Sequence, residues 1–354
     1  MTAAVRDFGS WLTAWASEAA LPLWTGPGID PATGTAWEAL DHAGRPCRGL
    51  DRRLRVQLRQ AYCFAILGET ARARSLFDWV MANGFERGTG NLAARLGPRM
   101  EIKTAPHDLY DLAFAALAAA ALIEAGEDIA EPLRRIEHGL ARLKAPRGWV
   151  EDASRRLPRR QNPHMHLFEA ATELLAATGA PRFRDMAEEC LALFSEVFLQ
   201  PDGRVLEFYD ADWQPRQGHG QQIEPGHMAE WIYLIDRFEA VTGRSSGVDR
   251  AVLWRAVLAR RDGAGFLPDV SEPLLPTRRL WPQTELLRAA WVMARHGDRD
   301  VDLQALFEAF RSAYLATPVA GGWYDRRTSD GVLVSDTMPA SSFFHIVGVL
   351  RLSG

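Results

Sequence analysis

Apolar segments of one shape return along the chain at intervals of about 50 to 60 residues, a period that points to a repeated supersecondary unit. Each follows a turn that joins glycine to an aromatic or acidic residue and then a polar loop. The turns are Gly148-Trp149-Val150-Glu151-Asp152, Gly203-Arg204-Val205-Leu206-Glu207, Gly265-Phe266-Leu267-Pro268-Asp269 and Gly322-Trp323-Tyr324-Asp325. The helices after them are expected to begin near His166, His227, Thr284 and His345. Gln57-Leu58-Arg59-Gln60 and Asp108-Leu109-Tyr110-Asp111 fill the same place earlier, so the anchors run 59, 110, 166, 227, 284 and 345. Between these nearly all-apolar helices lie amphipathic ones, such as Pro181 to Leu199 and Val301 to Leu315, with charged faces and apolar stripes. A buried inner helix and a half-exposed outer helix per repeat is what a double ring requires. The pattern predicts an all-α (α/α)6 barrel, one catalytic domain over residues 1–354, with short β-hairpins in the loops. If the inner helices run parallel, all six anchors converge at one mouth.

The most apolar run, Leu112 to Ile123, is too short to span a bilayer, which takes roughly 20 apolar residues, and reads as a buried helix. Met1 to Leu21 has no basic stretch before an apolar one, so no signal peptide is expected and the segment reads as a surface helix. Net charge is −4 with the basic residues scattered, which gives no footprint for nucleic acid and favours a small neutral partner. Three widely spaced cysteines, Cys47, Cys63 and Cys190, fit reduced thiols in the cytoplasm better than a disulfide framework. Of the twelve tryptophans most are expected in packing, with a few free to line a carbohydrate pocket.

Two of the anchors carry a histidine three residues ahead of a glutamate: His166 with Glu169, and His227 with Glu230. One helical turn puts the members of each pair on one face, where a carboxylate can raise the basicity of an imidazole. Pro225-Gly226 places His227 in the first turn of its helix, so His227 with Glu230 reads as the sharper dyad. His164 competes with His166, but two residues apart they point in nearly opposite directions, and His166 shares a face with Glu169 and Asn162. His345 lies in an apolar segment that by itself suggests a core position; its register with the other anchors places it at the mouth. Arg59 is suited to polarising a carbonyl or binding an oxyanion. Trp281, ahead of Gln283 and Glu285, could stack on a sugar face. No His-Glu-x-x-His, cysteine cluster or acidic run supports a metal, and the glycine pairs lack the remaining phosphate-loop positions.

With these residues in place the chain resembles the N-acylglucosamine 2-epimerase superfamily over nearly its whole length. The motifs carrying the resemblance are Gln57 to Gln60, Asp108 to Phe114, Asn162 to Ala170, Pro225 to Trp231, Trp281 to Glu285 and Phe343 to His345, in order. It implies an (α/α)6 barrel and cofactor-independent isomerisation or 2-epimerisation of a monosaccharide through a cis-enediolate. His345 and His227 would be the acid/base residues, with Glu230 at His227. Arg59, Tyr110, Asn162, His166, Glu169, Trp281 and Glu285 would bind the sugar or orient the histidines. The family's disaccharide epimerases carry two adjacent tryptophans where this chain has Leu280-Trp281, which argues for a monosaccharide. The forms Arg279 to Glu285 and Pro339 to His345 are closer to the family's mannose isomerases. The expectation is therefore interconversion of D-mannose and D-fructose, with D-lyxose and D-xylulose as further substrates, without metal or cofactor, by a monomer or homodimer. The alternatives are 2-epimerisation of N-acyl-D-glucosamine or another sugar, then an (α/α)6 glycoside hydrolase or a non-catalytic sugar-binding protein.

Overall fold

The computed structural model describes residues 3–216, 218 and 221–353. Its inner helices are α3 (Leu54–Ile66), α5 (Leu109–Glu124), α7 (Gln161–Thr178), α9 (Pro225–Thr242), α11 (Leu280–Arg295) and α13 (Ser341–Leu350). The outer ones are α1 (Ala3–Trp15), α4 (Thr70–Asn83), α6 (Ala130–Arg142), α8 (Pro181–Leu193), α10 (Arg250–Leu258) and α12 (Leu303–Phe310); α2 (Leu21–Thr25) is a single short turn. Each inner helix packs on the next, and α13 returns to α3, so the inner ring is closed. This is the (α/α)6 arrangement that the repeats predict.

Burial follows from position in the double ring. α5 is packed on nearly every side, from Leu109 through Leu122 apart from half-buried Tyr110, as its lack of a polar face requires. On α6, by contrast, Leu133, Ile136, Gly139 and Leu140 form one buried stripe on an otherwise charged helix. α7 and α9 are each 18 residues long and stop at a left-handed glycine, Gly179 and Gly243, at matching places in successive repeats.

The N-terminal segment differs from the surface helix expected of it. Phe8 and Leu12 are buried, Phe8 stacks on Phe307 of α12 with ring centroids 3.9 Å apart, and α1 also touches α13. The sixth hairpin is thus closed by the first helix of the chain, which the local pattern of the segment does not reveal. No described helix is long and apolar enough to cross a membrane.

Short strands decorate the loops: β1 (Ala39–Asp41), β2 (Arg52–Arg53), β3 (Arg95–Leu96), β4 (Ile102–Thr104), β5 (Arg159–Arg160), β6 (Phe208–Tyr209), β7 (Thr277–Arg279), β8 (Arg326–Thr328) and β9 (Thr337–Pro339). β3 and β4 form a hairpin. The others pair antiparallel between loops far apart in sequence: β2 with β3, β5 with β6, β7 with β8, and β1 with β9 across the closure of the ring. In three of the repeats a loop acid supports this lacing. Glu38, Glu151 and Asp269 accept the backbone N–H of Arg53, Arg160 and Arg279, the residues just ahead of α3, α7 and α11, and each also pairs with that arginine's guanidinium. Each loop carboxylate therefore fixes where an inner helix begins.

Candidate active site

The N-terminal ends of all six inner helices open on one cavity of about 440 Å³. Arg59 comes from α3, Tyr110 from α5, Asn162 and His166 from α7, His227 and Glu230 from α9, Trp281 from α11 and His345 from α13. A larger groove of about 590 Å³ outside the ring, between α1, α12 and α13, gathers mainly apolar and small side chains and no acid/base pair. Glu169 and Glu285, expected to bind the sugar or orient the histidines, do not line the cavity. They stand behind the histidines and hold them.

Each histidine at the cavity has its Nδ1 engaged. His166 Nδ1 lies 3.0 Å from Glu169 Oε2, as the one-turn spacing predicts. His345 Nδ1 lies 2.8 Å from Glu285 Oε1, whose other oxygen accepts from Arg288 Nη1 at 2.7 Å. His227 departs from the expected dyad: its Nδ1 lies 2.9 Å from Glu207 Oε1, with Glu224 Oε2 at 3.8 Å, and Glu230 is not its partner. The reason is location. His227 is the third residue of α9, where the ring meets the preceding loop, and Glu207 sits in the Gly-acid turn of that loop. Gln161 Nε2 donates to the second oxygen of Glu207 at 3.0 Å, and Trp231 Nε1–H donates to Gln161 Oε1 at 2.9 Å, so the carboxylate is fixed from behind. With Nδ1 occupied, Nε2 of each imidazole is the nitrogen left for the cavity.

Charges around the imidazoles differ sharply. Burial alone would lower His227, but Glu207 and Glu224 overcome it and raise it to about 10, so it is an imidazolium at neutral pH. Burial lowers His345 to about 4, outweighing what Glu285 restores, and the nearby Arg59 and His166 add to the lowering. Burial also holds His166 well below its ordinary value. Glu230, fully buried and with neither oxygen hydrogen-bonded among the described residues, is pushed well above its ordinary value by burial and by the neighbouring Glu285 and Glu169. Burial raises Glu169 to about 7. Glu285 stays below its ordinary value because Arg288 and His345 overcome its burial.

His164 points away from the site, as its spacing from His166 requires. Its Nδ1 lies 3.0 Å from the Arg160 carbonyl and its Nε2 accepts the Trp149 backbone N–H at 3.2 Å, a hydrogen-bonded core position. Trp281 lies between the two outer imidazoles, its ring centroid 5.0 Å from that of His227 and 5.5 Å from that of His345. Its place is enforced by Gly226, where a Cβ would come within 2.6 Å of the indole. Arg59 Nη2 donates to Tyr110 Oη at 2.8 Å, and its guanidinium lies over Phe114 at 4.2 Å. No carboxylate pairs with it among the described residues. Asn162 Oδ1 is buried at the cavity wall and has no partner among the described residues, an acceptor ready for a hydroxyl.

Three groups bring ligand atoms within 4.8 Å of one another and could gather around a cation: His166, Glu169 and Glu230; Glu207, Glu224 and His227; and Glu230, Glu285 and His345. In each, the histidine already spends one ring nitrogen on a carboxylate. The residues that the sequence reading leaves out are Glu207, Glu224 and Arg288, together with the arginines and serines of the rim. Glu207 alone had a signal, since it occupies the acid position of a repeated turn.

The sequence profile described as N-acylglucosamine 2-epimerase (GlcNAc 2-epimerase) matches residues 35–349. A mannose-6-phosphate isomerase of Rhizobium meliloti (strain 1021) is 36% identical, over 95% of this chain and 94% of that protein. The solved cellobiose 2-epimerase of Spirochaeta thermophila DSM 6192 superposes with a TM-score of 0.85 at 19% identity, covering 98% of this chain and 96% of the other. A solved D-mannose isomerase gives 0.83 at 17% identity, covering 99% and 98%. These two show the shared fold. The profile match over most of the chain and the 36% relative settle the membership: this protein belongs to the N-acylglucosamine 2-epimerase family and is an enzyme of the sugar isomerase and epimerase class.

Proposed function

We propose that the enzyme moves the C2 proton of an aldose through a cis-enediolate, with His345 as general base and His227 as general acid. The observation that carries this is the pair of imidazoles flanking Trp281 in one cavity, one driven toward the protonated form and the other toward the neutral form. Two groups whose surroundings drive their proton affinities apart divide naturally into acid and base. Neutral His345, its Nδ1–H turned to Glu285, takes the C2 proton at Nε2. Cationic His227, its Nδ1–H turned to Glu207, gives its Nε2 proton to the sugar oxygen. Arg59, free of any carboxylate, stabilises the oxyanion as it forms. Trp281 carries the sugar face, and Asn162 accepts from a hydroxyl. These proton transfers call for no redox group, and the same reading treats the chain as one barrel domain in a reducing compartment, with Cys47, Cys63 and Cys190 unpaired.

The enediolate has two productive fates. Return of the proton to the opposite face of C2 gives the 2-epimer; imidazoles on two sides of the platform, the family itself and the cellobiose 2-epimerase fold favour this outcome. Delivery to C1 gives the ketose. That outcome, interconversion of D-mannose and D-fructose, is favoured by the mannose-6-phosphate isomerase at 36% identity and by a D-mannose isomerase of Thermobifida fusca, 25% identical over 65% of this chain and 64% of that protein. A glycoside hydrolase would need two carboxylates flanking the bond, whereas Glu169 lies behind His166 and away from the cavity.

The test is solvent deuterium incorporation at C2 of a panel of aldoses, among them D-mannose, D-glucose and N-acetyl-D-glucosamine, followed by separation of aldose and ketose products. Replacing His345 by asparagine is expected to cut exchange by about 10² to 10⁴, the ordinary worth of a general base. Exchange that survives H345N at the wild-type rate overturns the assignment, and the product ratio decides between epimer and ketose.

A further inference from the structure

The cavity rim is rich in arginine, with Glu224, Glu230 and Asp325 the carboxylates among its lining residues. Arg53, Arg55, Arg59, Arg279 and Arg326 all line it. Arg53 and Arg55 are each matched by a carboxylate that does not line the cavity, Glu38 at 2.5 Å and Asp111 at 2.8 Å. The remaining pair at the rim is arranged differently. Arg279 and Arg326 face each other in the β7–β8 register and turn their Nε atoms to a single carboxylate, at 3.1 Å from Asp269 Oδ1 and 3.3 Å from Oδ2. Asp269 is thus shared between the two guanidinium groups, while Asp325 is felt by both and Glu224 by Arg279. The terminal nitrogens of both guanidinium groups have no hydrogen-bond acceptor among the described residues.

One further donor and a distance complete the pattern. Ser335 Oγ accepts the backbone N–H of Asp325 at 3.2 Å and of Arg326 at 3.1 Å, so its own hydrogen is free for a ligand at the cavity wall. Asp325, also at the cavity wall, takes the Ser342 hydroxyl at 2.6 Å, and its burial raises it from its ordinary value. The Arg279 guanidinium lies 5.5 Å from the Trp281 ring, whose other neighbours are the two outer imidazoles. The arginine pair is thus one indole away from the proton-transfer centre. In addition, the N-termini of the inner helices, with their partial positive charge, gather at this mouth.

We infer that Arg279, Arg326 and Ser335 form an anion subsite for a terminal phosphate, and that the substrate is a phosphorylated aldose lying along Trp281 with its C1–C2 end at His227 and His345. Two guanidinium forks and a hydroxyl, on separate segments, offer donors in more directions than a planar carboxylate accepts, and a phosphate dianion uses them. The orientation of the sugar rests on the C2-proton reading. The phosphate grip does not, because it depends only on the rim.

The experiment compares C2 hydrogen exchange of D-mannose and D-mannose 6-phosphate, D-glucose and D-glucose 6-phosphate, by the wild type, R326Q and R326K, alongside calorimetric titration with inorganic phosphate. The expected result is a wild-type kcat/KM at least about 10-fold higher for the phosphate ester, a loss of about 10- to 100-fold for that ester in R326Q, and a partial return in R326K, in line with one charge-assisted hydrogen-bond donor. The neutral sugar should fall by less than about 3-fold in R326Q, since it never engaged the fork. Inorganic phosphate should bind the wild type and compete with the ester, and R326Q should weaken both. Equal kcat/KM for ester and neutral sugar, with no competition by phosphate, overturns the subsite and leaves the proton-transfer reading standing. If no sugar exchanges at all, that reading fails instead, and the phosphate titration decides the subsite alone: heat that R326Q diminishes supports it, and its absence in the wild type overturns it.

Discussion

His227 and His345 look alike at close range. Each lines the same cavity, flanks the same indole and gives Nδ1 to a buried glutamate less than 3 Å away. Yet one is held protonated to about pH 10 and the other deprotonated down to about 4. The difference lies one shell further out. His227 meets two carboxylates, Glu207 and Glu224, neither of which is shared with a buried arginine. His345 meets one, Glu285, which Arg288 already claims, and it also feels Arg59 and His166. A hydrogen bond to a carboxylate thus does not fix the charge of an imidazole. The balance of all charges near it does, and in a buried site each of them is felt strongly.

The sharpest way to break this contrast is at Arg288. It and Glu285 are almost fully enclosed, so R288M strands a buried carboxylate and is expected to cost about 3–5 kcal/mol in chemical denaturation. In the surviving folded protein Glu285 would answer to His345 alone, and the His345 titration followed by NMR should move upward, toward the behaviour of His227. A His345 that stays put would show that burial and not Arg288 decides it.

E207Q attacks the other side. With one of its two carboxylates neutral, His227 should titrate at least about one pH unit lower, taking the high-pH limb of activity down with it. Stability gives a second readout. The folded imidazole binds its proton more tightly than the unfolded one, so it contributes fully below about 6.5, and the contribution fades as pH rises through about 10. The wild type should therefore lose more stability than E207Q between these values; parallel profiles would count against the Glu207 bond.

The smallest effect is expected at Glu230, which lies among Glu169, Glu285 and the histidines without a hydrogen bond. Its folded carboxyl keeps a proton that the unfolded chain releases above about 4.5, so the folded state is penalised progressively as pH rises from there. E230Q removes the penalty. The variant should match the wild type within about 1 kcal/mol near pH 4 and gain on it toward neutral pH. A constant offset would mean that Glu230 is ionised in the fold.

The ring was readable in the sequence because its cause is periodic: an inner helix buried on all sides must be apolar all round, and Leu112 to Ile123 is. The anchors were readable because a repeat forces equivalent positions to one mouth, which is how His345 came out of an apolar run. His166 with Glu169 was readable as well, both ends of that bond being on one helix. What failed was the transfer of that logic to His227, where the same spacing leads to another partner. Glu207 lies 20 residues upstream, and the path of the intervening loop is set by strand pairing between neighbouring repeats, which has no signature in local period. Arg288 escaped for a similar reason: its role depends on Glu285 being turned to His345, a contact 60 residues long.

The pairing of β1 with β9 and the docking of α1 on α13 tie the first part of the chain to the last. Every inner helix lends at least one side chain to the cavity, so no arc of the ring holds a working fraction of the site. The cavity has its full set of side chains only when all six hairpins are in place, so activity during refolding is expected to appear as the circle shuts.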